Sequence, residues 1–180
     1  MSAAQLLERD RVSEEEFLSL PESMDRIELL DGEVIVAAAP SLLHQLVLGD
    51  LYSVMRAWAR ANPPALVAMA PIDVRLAPGR IVQPDLLVVL GGMPPRAASP
   101  LHVVPDLVVE VISLKRSYDR ITKRAIYADA GVAEYWIVDP FDGQIEQIQG
   151  LETVATIASG TIRSLVAPGL EVTLSEIFPP

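Results

Sequence analysis

The order of apolar and polar positions in the first forty residues predicts a short helix followed by a β-hairpin. Ser13 and Glu16 have the spacing of a helix capping box, so we expect a helix that ends near Pro21. Asp31-Gly32 separates two β-prone runs, which is typical of a tight hairpin turn. The chain is therefore expected to begin with a helix and with strands near 26–30 and 33–38.

A longer helix is predicted between Pro40-Ser41 and Asn62-Pro63-Pro64. The larger apolar residues recur at steps of three and four, which places them on one helical face. These residues are Leu43, Val47, Leu51, Val54 and Trp58.

The remaining pattern predicts a sheet with central strands. Residues 106–113 and 134–140 are apolar on both faces, as expected of strands that are covered on two sides. The mixture of a hairpin, helices and central apolar strands indicates one α/β domain over residues 1–180. The other expected elements are strands at 65–76 and 81–90 around the turn Pro78-Gly79, a loop at 91–100, a helix at 117–129 ended by Gly131, edge strands from 144 onwards, and a short helix in LSEIF.

The composition narrows the classes of protein. With 51% hydrophobic residues the chain can form one packed core, and without cysteine it has no disulfide, thiolate metal site or cysteine nucleophile. No apolar run approaches the roughly 18 residues needed to cross a bilayer, and the charged N-terminus does not resemble a signal peptide, so we expect a cytoplasmic protein. The net charge of −10 argues against a general nucleic-acid coat, and a mean hydropathy of +0.34 favours a homodimer.

Two carboxylates stand where apolar side chains are expected. Glu110 lies inside the apolar run 107–112, and Asp85 directly precedes the apolar run 86–90. An ionised carboxylate in such a strand loses several kcal/mol of solvation unless a partner compensates it. Each could cap a loop or pair with an arginine, but together on adjacent strands they would share a divalent cation. Mg²⁺ suits two carboxylates because it prefers oxygen ligands and keeps several waters.

A basic segment follows Glu110. Residues 111–128 contain five basic side chains and Asp119 as the one acidic side chain. A basic cluster beside paired acids suits phosphodiester hydrolysis, in which a metal activates water and a lysine offsets charge on the phosphoryl group. The alternative is a solvated helix face with an Asp119–Lys123 pair at i, i+4 spacing. In this predicted helix one face can pack on the core, and the other faces turn partly towards the carboxylates. The core-facing residues are Tyr118, Ile121, Ala125 and Ala128, and the residues on the other faces are Arg120, Lys123, Arg124 and Tyr127.

Together with the motifs around them, these residues make the chain resemble the Uma-type restriction endonuclease family of the PD-(D/E)XK nuclease superfamily. The resemblance covers about residues 13–178 and rests on the order of its motifs rather than on any single residue. The matching strings are RIELLDGEV at 26–34, Pro40-Ser41 with His44, PIDVRL at 71–76, Pro84-Asp85, EVIS at 110–113, Asp119 with Lys123 and Tyr127, GVAEYWIVDP at 131–140, and APGLEVTLSEIF at 167–178.

The resemblance implies a restriction-endonuclease-like core, a mixed central sheet flanked by helices, and roles for several residues. Asp85 and Glu110 would be catalytic and would bind Mg²⁺, for which Mn²⁺ would substitute. Ile112 stands where the superfamily motif has lysine, so Lys123 from the next helix would supply the amine. Lys115 is nearer in sequence but matches no motif position.

Three further residues have less direct assignments. Glu28 matches a family position and would complete the metal shell or orient a water, and otherwise it would be an ordinary exposed strand residue. His44 would contact a phosphate or act as an acid or base, and otherwise it would bond locally at the helix start. Asp73 is a candidate for an acidic residue just outside the direct ligands of the metal. Tyr135 and Trp136 are expected in the core or a dimer interface rather than stacked on bases.

These observations favour a metal-dependent endonuclease that hydrolyses DNA, with DNA implied by the resemblance alone. The alternative is a nuclease-fold protein with weak or no activity that acts as a dimeric binding module, which Ile112 and the acidic balance favour. A hydrolase that acts on sugars through a carboxylate pair is disfavoured, because aromatic residues make up only 5% of the chain.

Overall fold

The computed structural model describes residues 11–20, 26–37, 39–112 and 119–178. Its contacts divide the chain into two compact units. The first unit comprises residues up to 39 together with 71–83 and 98–103, and the second unit comprises 40–70, 84–97 and 104 onwards. The expected single domain over residues 1–180 stays a prediction.

The described elements follow one another in an order that matches the predicted α/β class. They are α1 Glu14–Leu18, β1 Ile27–Leu30, β2 Glu33–Val36, α2 Leu42–Ala61, β3 Leu66–Met69, β4 Val74–Ala77, β5 Arg80–Val82, β6 Leu86–Val89, β7 Leu101–His102, β8 Leu107–Val111, a π-helical turn Asp119–Lys123, α3 Arg124–Ala130, β9 Glu134–Asp139, β10 Gln144–Gln149, β11 Glu152–Ile157, β12 Thr161–Arg163, β13 Glu171–Thr173 and α4 Leu174–Ile177.

The first unit contains the predicted helix and hairpin. The Ser13 side chain accepts a hydrogen bond from the Glu16 backbone N–H, and the Glu16 carboxylate accepts one from Ser13, which confirms the capping box at the start of α1. Asp31 and Gly32 have φ values of 52° and 94°, as a two-residue turn with both central residues in the left-handed region requires. The hairpin is part of a five-stranded sheet in the order β2-β1-β5-β4-β7.

One ion pair connects α1 to this sheet, and it implies that the stability of the fold depends on pH. Glu14 accepts a hydrogen bond from Arg75 Nε at 2.6 Å and another from the Gly79 backbone N–H at 2.7 Å. The Arg75 side chain and then the Gly79 N–H hold the pKa of Glu14 below its ordinary value. Because the pKa of Glu14 is lower in the folded state, its ionised form stabilises the fold at pH values above the pKa of Glu14 in the unfolded chain. This stabilisation is lost as the pH falls through the pKa of Glu14 in the folded protein.

We therefore expect Glu14→Gln to lower the free energy of unfolding by about 1 kcal/mol at pH 7 and by less at pH 4. Urea unfolding at the two pH values measures this difference. Glu15→Gln is the matched control, because Glu15 is an exposed acid in the same helical turn. Equal losses for the two variants at pH 7 would contradict the prediction.

The second unit is built on a six-stranded mixed sheet in the order β11-β10-β9-β8-β6-β3. The central strands β8 and β9 are parallel, and the other pairs in this sheet are antiparallel. Helix α2 packs on one face through Val47, Leu51 and Met55, which lie in one core cluster with alternate residues of β6, β8 and β9. Trp136 of β9 belongs to this cluster and Tyr135 is also buried, as expected for core aromatics.

Two details of the strand prediction are wrong. The runs 65–76 and 81–90 are each two strands, with β3 and β6 in one sheet and β4 and β5 in the other. Pro71 and Pro84 lie at the interruptions, and proline cannot donate to a strand ladder. The expectation of edge strands from residue 144 fails for β10, which lies between β9 and β11. None of the helices in the described ranges is long and apolar enough to cross a membrane.

Candidate active site

Asp85 directly precedes β6, and Glu110 lies in β8, the antiparallel neighbour of β6. Leu86 of β6 pairs with Val109 of β8, so the next position of the same register places Asp85 opposite Glu110. Both side chains are almost fully buried, with 1% and 2% of their surface exposed. Alternate residues of β8 pack with α2, so Glu110 points to the other face of the sheet. The backbone positions of the two acids that the sequence singled out therefore lie opposite each other.

Asp85 is held by a backbone group and by a histidine. Its Oδ2 accepts a hydrogen bond from the Val111 backbone N–H at 2.8 Å and lies 3.2 Å from His44 Nε2. His44 is in the first turn of α2, whose N-cap is Ser41. The side chain of His44 therefore contacts a residue 41 positions further along the chain, and the alternative of purely local bonding is wrong. His44 Nδ1 is buried without a hydrogen-bond partner.

Glu110 is paired with a lysine from the following helix. Lys123 Nζ lies 2.7 Å from Glu110 Oε1, and both side chains are at most 5% exposed. Tyr127 donates its hydroxyl hydrogen to the same oxygen, also at 2.7 Å. Lys123 was expected near Glu110 from the family resemblance, and its ammonium is in direct contact with the carboxylate.

A π-helical turn orients these two donors. The turn Asp119–Lys123 runs directly into α3, which ends at Gly131 with a φ of 85°, as predicted. A π turn holds one more residue than an α turn, so it rotates the side chains that follow. Ile121 is 71% exposed and Ala125 is also exposed. The prediction that these two residues face the core is therefore wrong. Lys123, Ile126 and Tyr127 are buried instead.

The other predicted residues belong to the first unit or fall outside the described ranges. Glu28 is in β1 of the first unit, only 2% exposed, and its Oε1 accepts the Gln83 backbone N–H at 2.8 Å. It is therefore not an ordinary exposed strand residue. Asp73, also in the first unit, accepts a hydrogen bond from Gln83 Nε2. Lys115 and the side chain of Asp119 lie outside the described residues, so an Asp119–Lys123 pair stays a prediction.

Tyr127 and Glu134 are among the buried residues with polar groups that were not in the predicted site. Tyr127 matched a family string but was given no role, although its i, i+4 spacing from Lys123 is a signal that both face the same group. Glu134 is fully buried at the start of β9 and accepts hydrogen bonds from Trp136, Gln147 and Ser164. Its donors are neutral groups that tie the sheet to the segment after β12, so Glu134 stabilises the fold.

The donor set of the site fits a magnesium ion. Among the described residues no three histidine, aspartate or glutamate side chains form a metal-ligand group. Two carboxylates nevertheless suffice for Mg²⁺, which is commonly bound through one or two carboxylates and several waters. Asp85 and Glu110 are both nearly fully buried, and their carboxylate oxygens are the kind of ligand that this cation prefers.

Comparison with a solved structure defines the class of fold. The crystal structure of a putative nuclease belonging to DUF820 from Anabaena variabilis ATCC 29413 superposes with a TM-score of 0.80. The alignment covers 93% of this chain and 97% of that protein, at 19% sequence identity. The protein therefore has an α/β, restriction-endonuclease-like core with a mixed sheet flanked by helices.

The sequence comparison identifies the family. Residues 14–175 match the Uma2 family, which is described as putative restriction endonucleases, and the chain belongs to that family. No protein of curated function matches the chain. The predicted resemblance is thus confirmed, and family and fold together indicate a restriction-endonuclease-like nuclease.

Proposed function

We propose that this protein is a magnesium-dependent endonuclease that hydrolyses phosphodiester bonds of DNA. The observation that carries the proposal is the pair of buried carboxylates, Asp85 and Glu110, with the Lys123 ammonium 2.7 Å from Glu110. A nuclease site needs ligands for a cation and a positive group near the phosphate. All three side chains belong to the second unit, which also contains His44.

The two carboxylates would hold Mg²⁺, or Mn²⁺ in its place. When bound there, the cation would lower the pKa of a water and offset charge on the phosphate oxygens. The chain contributes the orientation of its ligands, because the Val111 N–H and His44 fix Asp85 while Lys123 and Tyr127 fix Glu110. Ligands that are held in this way bind a metal more tightly than free carboxylates do.

Lys123 would provide the positive charge that the superfamily motif usually takes from the position of Ile112. Its ammonium donates to Glu110 in the resting protein, and its flexible stem would let it move to a phosphate oxygen when DNA is bound. His44 would orient Asp85 through the contact of its Nε2 with Oδ2. A role for Glu28 in the metal shell stays a prediction from the resemblance.

We also propose that the protein acts as a homodimer. Several large apolar side chains are exposed, among them Leu42 at 75% and Leu151 at 64%. Large apolar groups at a surface are commonly covered by a partner, and a second copy is the simplest one.

The nuclease proposal predicts cleavage that depends on added metal. Plasmid, single-stranded and branched DNA are incubated with the purified protein in Mg²⁺, in Mn²⁺ and in EDTA. We expect nicked or linear products in either metal and none in EDTA. Cleavage that persists in EDTA would contradict the role of the two carboxylates as metal ligands.

The alternative of a binding module makes the opposite prediction. If no DNA substrate is cut in either metal although the protein retains DNA, the nuclease proposal fails and the module is favoured. The position of Lys123 favours the nuclease, because its amine lies at the site despite Ile112.

A further inference from the structure

Glu110 Oε1 accepts hydrogen bonds from two side chains that differ in mobility. Lys123 Nζ and Tyr127 Oη each lie 2.7 Å from this one oxygen. Lysine carries its charge on a flexible four-carbon stem, whereas tyrosine has few rotatable bonds. The Tyr127 ring is 1% exposed and packs against Tyr135, with ring centroids 5.0 Å apart and planes tilted by 57°. Tyr127 is therefore the fixed donor and Lys123 the movable one.

The proposed reaction requires that one of these donors changes partner. Lys123 must approach a phosphate oxygen to offset its charge, and each step toward the phosphate weakens its contact with Glu110. A carboxylate that loses a donor gains rotational freedom, and a metal ligand that rotates binds its metal less well. The rigid hydroxyl of Tyr127 remains on Oε1 whether or not Lys123 has moved.

We propose that Tyr127 is a positioning residue that keeps the Glu110 carboxylate in its metal-binding orientation while Lys123 turns to the phosphate. This inference rests on the proposed function of the site. It goes beyond that function because it assigns to Tyr127 the task of holding the carboxylate after Lys123 has left it. Tyr127 and Lys123 are one helical turn apart, and the π-helical turn before α3 presents both of them to Glu110.

The test measures Mn²⁺ binding by isothermal titration calorimetry on the full chain without DNA. Tyr127→Phe removes the hydroxyl and keeps the ring, so we expect the Mn²⁺ dissociation constant to rise about tenfold. In cleavage assays the Mn²⁺ concentration for half-maximal rate should rise by a similar factor, whereas the rate at saturating Mn²⁺ should fall less. Partial unfolding of the variant would lower the rate at saturating Mn²⁺ without raising the Mn²⁺ concentration for half-maximal rate, so it would not produce this result.

Tyr52→Phe is the matched control, because Tyr52 is a half-buried tyrosine of α2 that packs against the core of the same unit. We expect this variant to bind Mn²⁺ as the unsubstituted protein does. Thermal unfolding of both variants checks that they are folded at the temperature of the titration.

The outcomes separate this inference from the proposed function. If Glu110→Gln abolishes Mn²⁺ binding but Tyr127→Phe binds within twofold of the unsubstituted protein, the metal site stands and the positioning role is overturned. If the unsubstituted protein binds no Mn²⁺, the proposed function fails and the role of Tyr127 fails with it. A tenfold loss in Tyr127→Phe with an unchanged Tyr52→Phe supports the inference.

Discussion

Glu110→Gln is expected to reduce magnesium-dependent DNA cleavage by at least about 10³-fold, which corresponds to about 4 kcal/mol of lost transition-state stabilisation. Glutamine has nearly the same shape as glutamate, and its carbonyl oxygen can still accept from Lys123 and Tyr127. The substitution removes the negative charge that a divalent cation requires. Initial rates on plasmid DNA, measured across a range of Mg²⁺ concentrations, determine the loss.

Asp85→Asn should cause a loss of similar size, because the two carboxylates would share one cation. Asp106→Asn is the matched control: Asp106 directly precedes β8 and its carboxylate accepts the Leu90 backbone N–H at 2.7 Å. Removal of that charge should leave the rate within a few-fold of the unsubstituted protein. Full activity in both Glu110→Gln and Asp85→Asn would show that these two carboxylates do not form the catalytic metal site.

The parts of the fold that were predicted correctly depend on local chemistry. Asp31-Gly32 predicts its own turn, because few residue pairs adopt two successive positive φ angles easily. Ser13 and Glu16 cap α1 through atoms within three residues of each other. The strand at 107–111 follows from apolar residues on both faces, a pattern that indicates burial without any knowledge of neighbouring strands.

The errors concern features that depend on distant parts of the chain. The position of β10 inside its sheet is set by β11, which pairs along its outer side, and strand order is not encoded in the polarity of one strand. The division of the runs around Pro71 and Pro84 between two sheets is likewise a matter of tertiary pairing. The prediction of which residues of α3 are buried was wrong because it assumed a regular α-helix. The π-helical turn before α3 contains an additional residue per turn, so the side chains that follow point in other directions.

The site was predictable to the extent that its residues conflict with their surroundings. Asp85 and Glu110 are charges inside apolar runs, so the sequence alone singled them out. Lys123 required the family resemblance, since a lysine on an amphipathic helix is ordinarily solvated. Tyr127 does not conflict with its surroundings, because a tyrosine on a helix that faces a sheet is usually a core residue, and its spacing from Lys123 was the only signal. Its hydroxyl contact with Glu110 is visible only in three dimensions.

The buried ion pair itself predicts a large effect on stability. Lys123→Met removes the ammonium next to Glu110 and leaves the carboxylate in a site that is 2% exposed. Removal of one partner of a buried pair costs about 3–5 kcal/mol, because the remaining charge has lost both its solvation and its partner. We expect a loss near the lower bound, about 3 kcal/mol, since Tyr127 still donates to Glu110.

A double-mutant cycle distinguishes loss of this pair from loss of lysine packing. In the Glu110→Gln/Lys123→Met protein the residual charge is gone, so most of the stability that Lys123→Met lost should return, and urea unfolding measures the four proteins of the cycle. Arg124→Met is the control, because the neighbouring Arg124 is 23% exposed and lies 3.7 Å from Glu146, an arrangement worth no more than about 1 kcal/mol. If the double variant is as unstable as Lys123→Met alone, the cost arises from packing of the lysine stem. If stability returns, Lys123 neutralises Glu110 in the resting protein, and a cation that binds both carboxylates would take over that task when the ammonium moves to the phosphate.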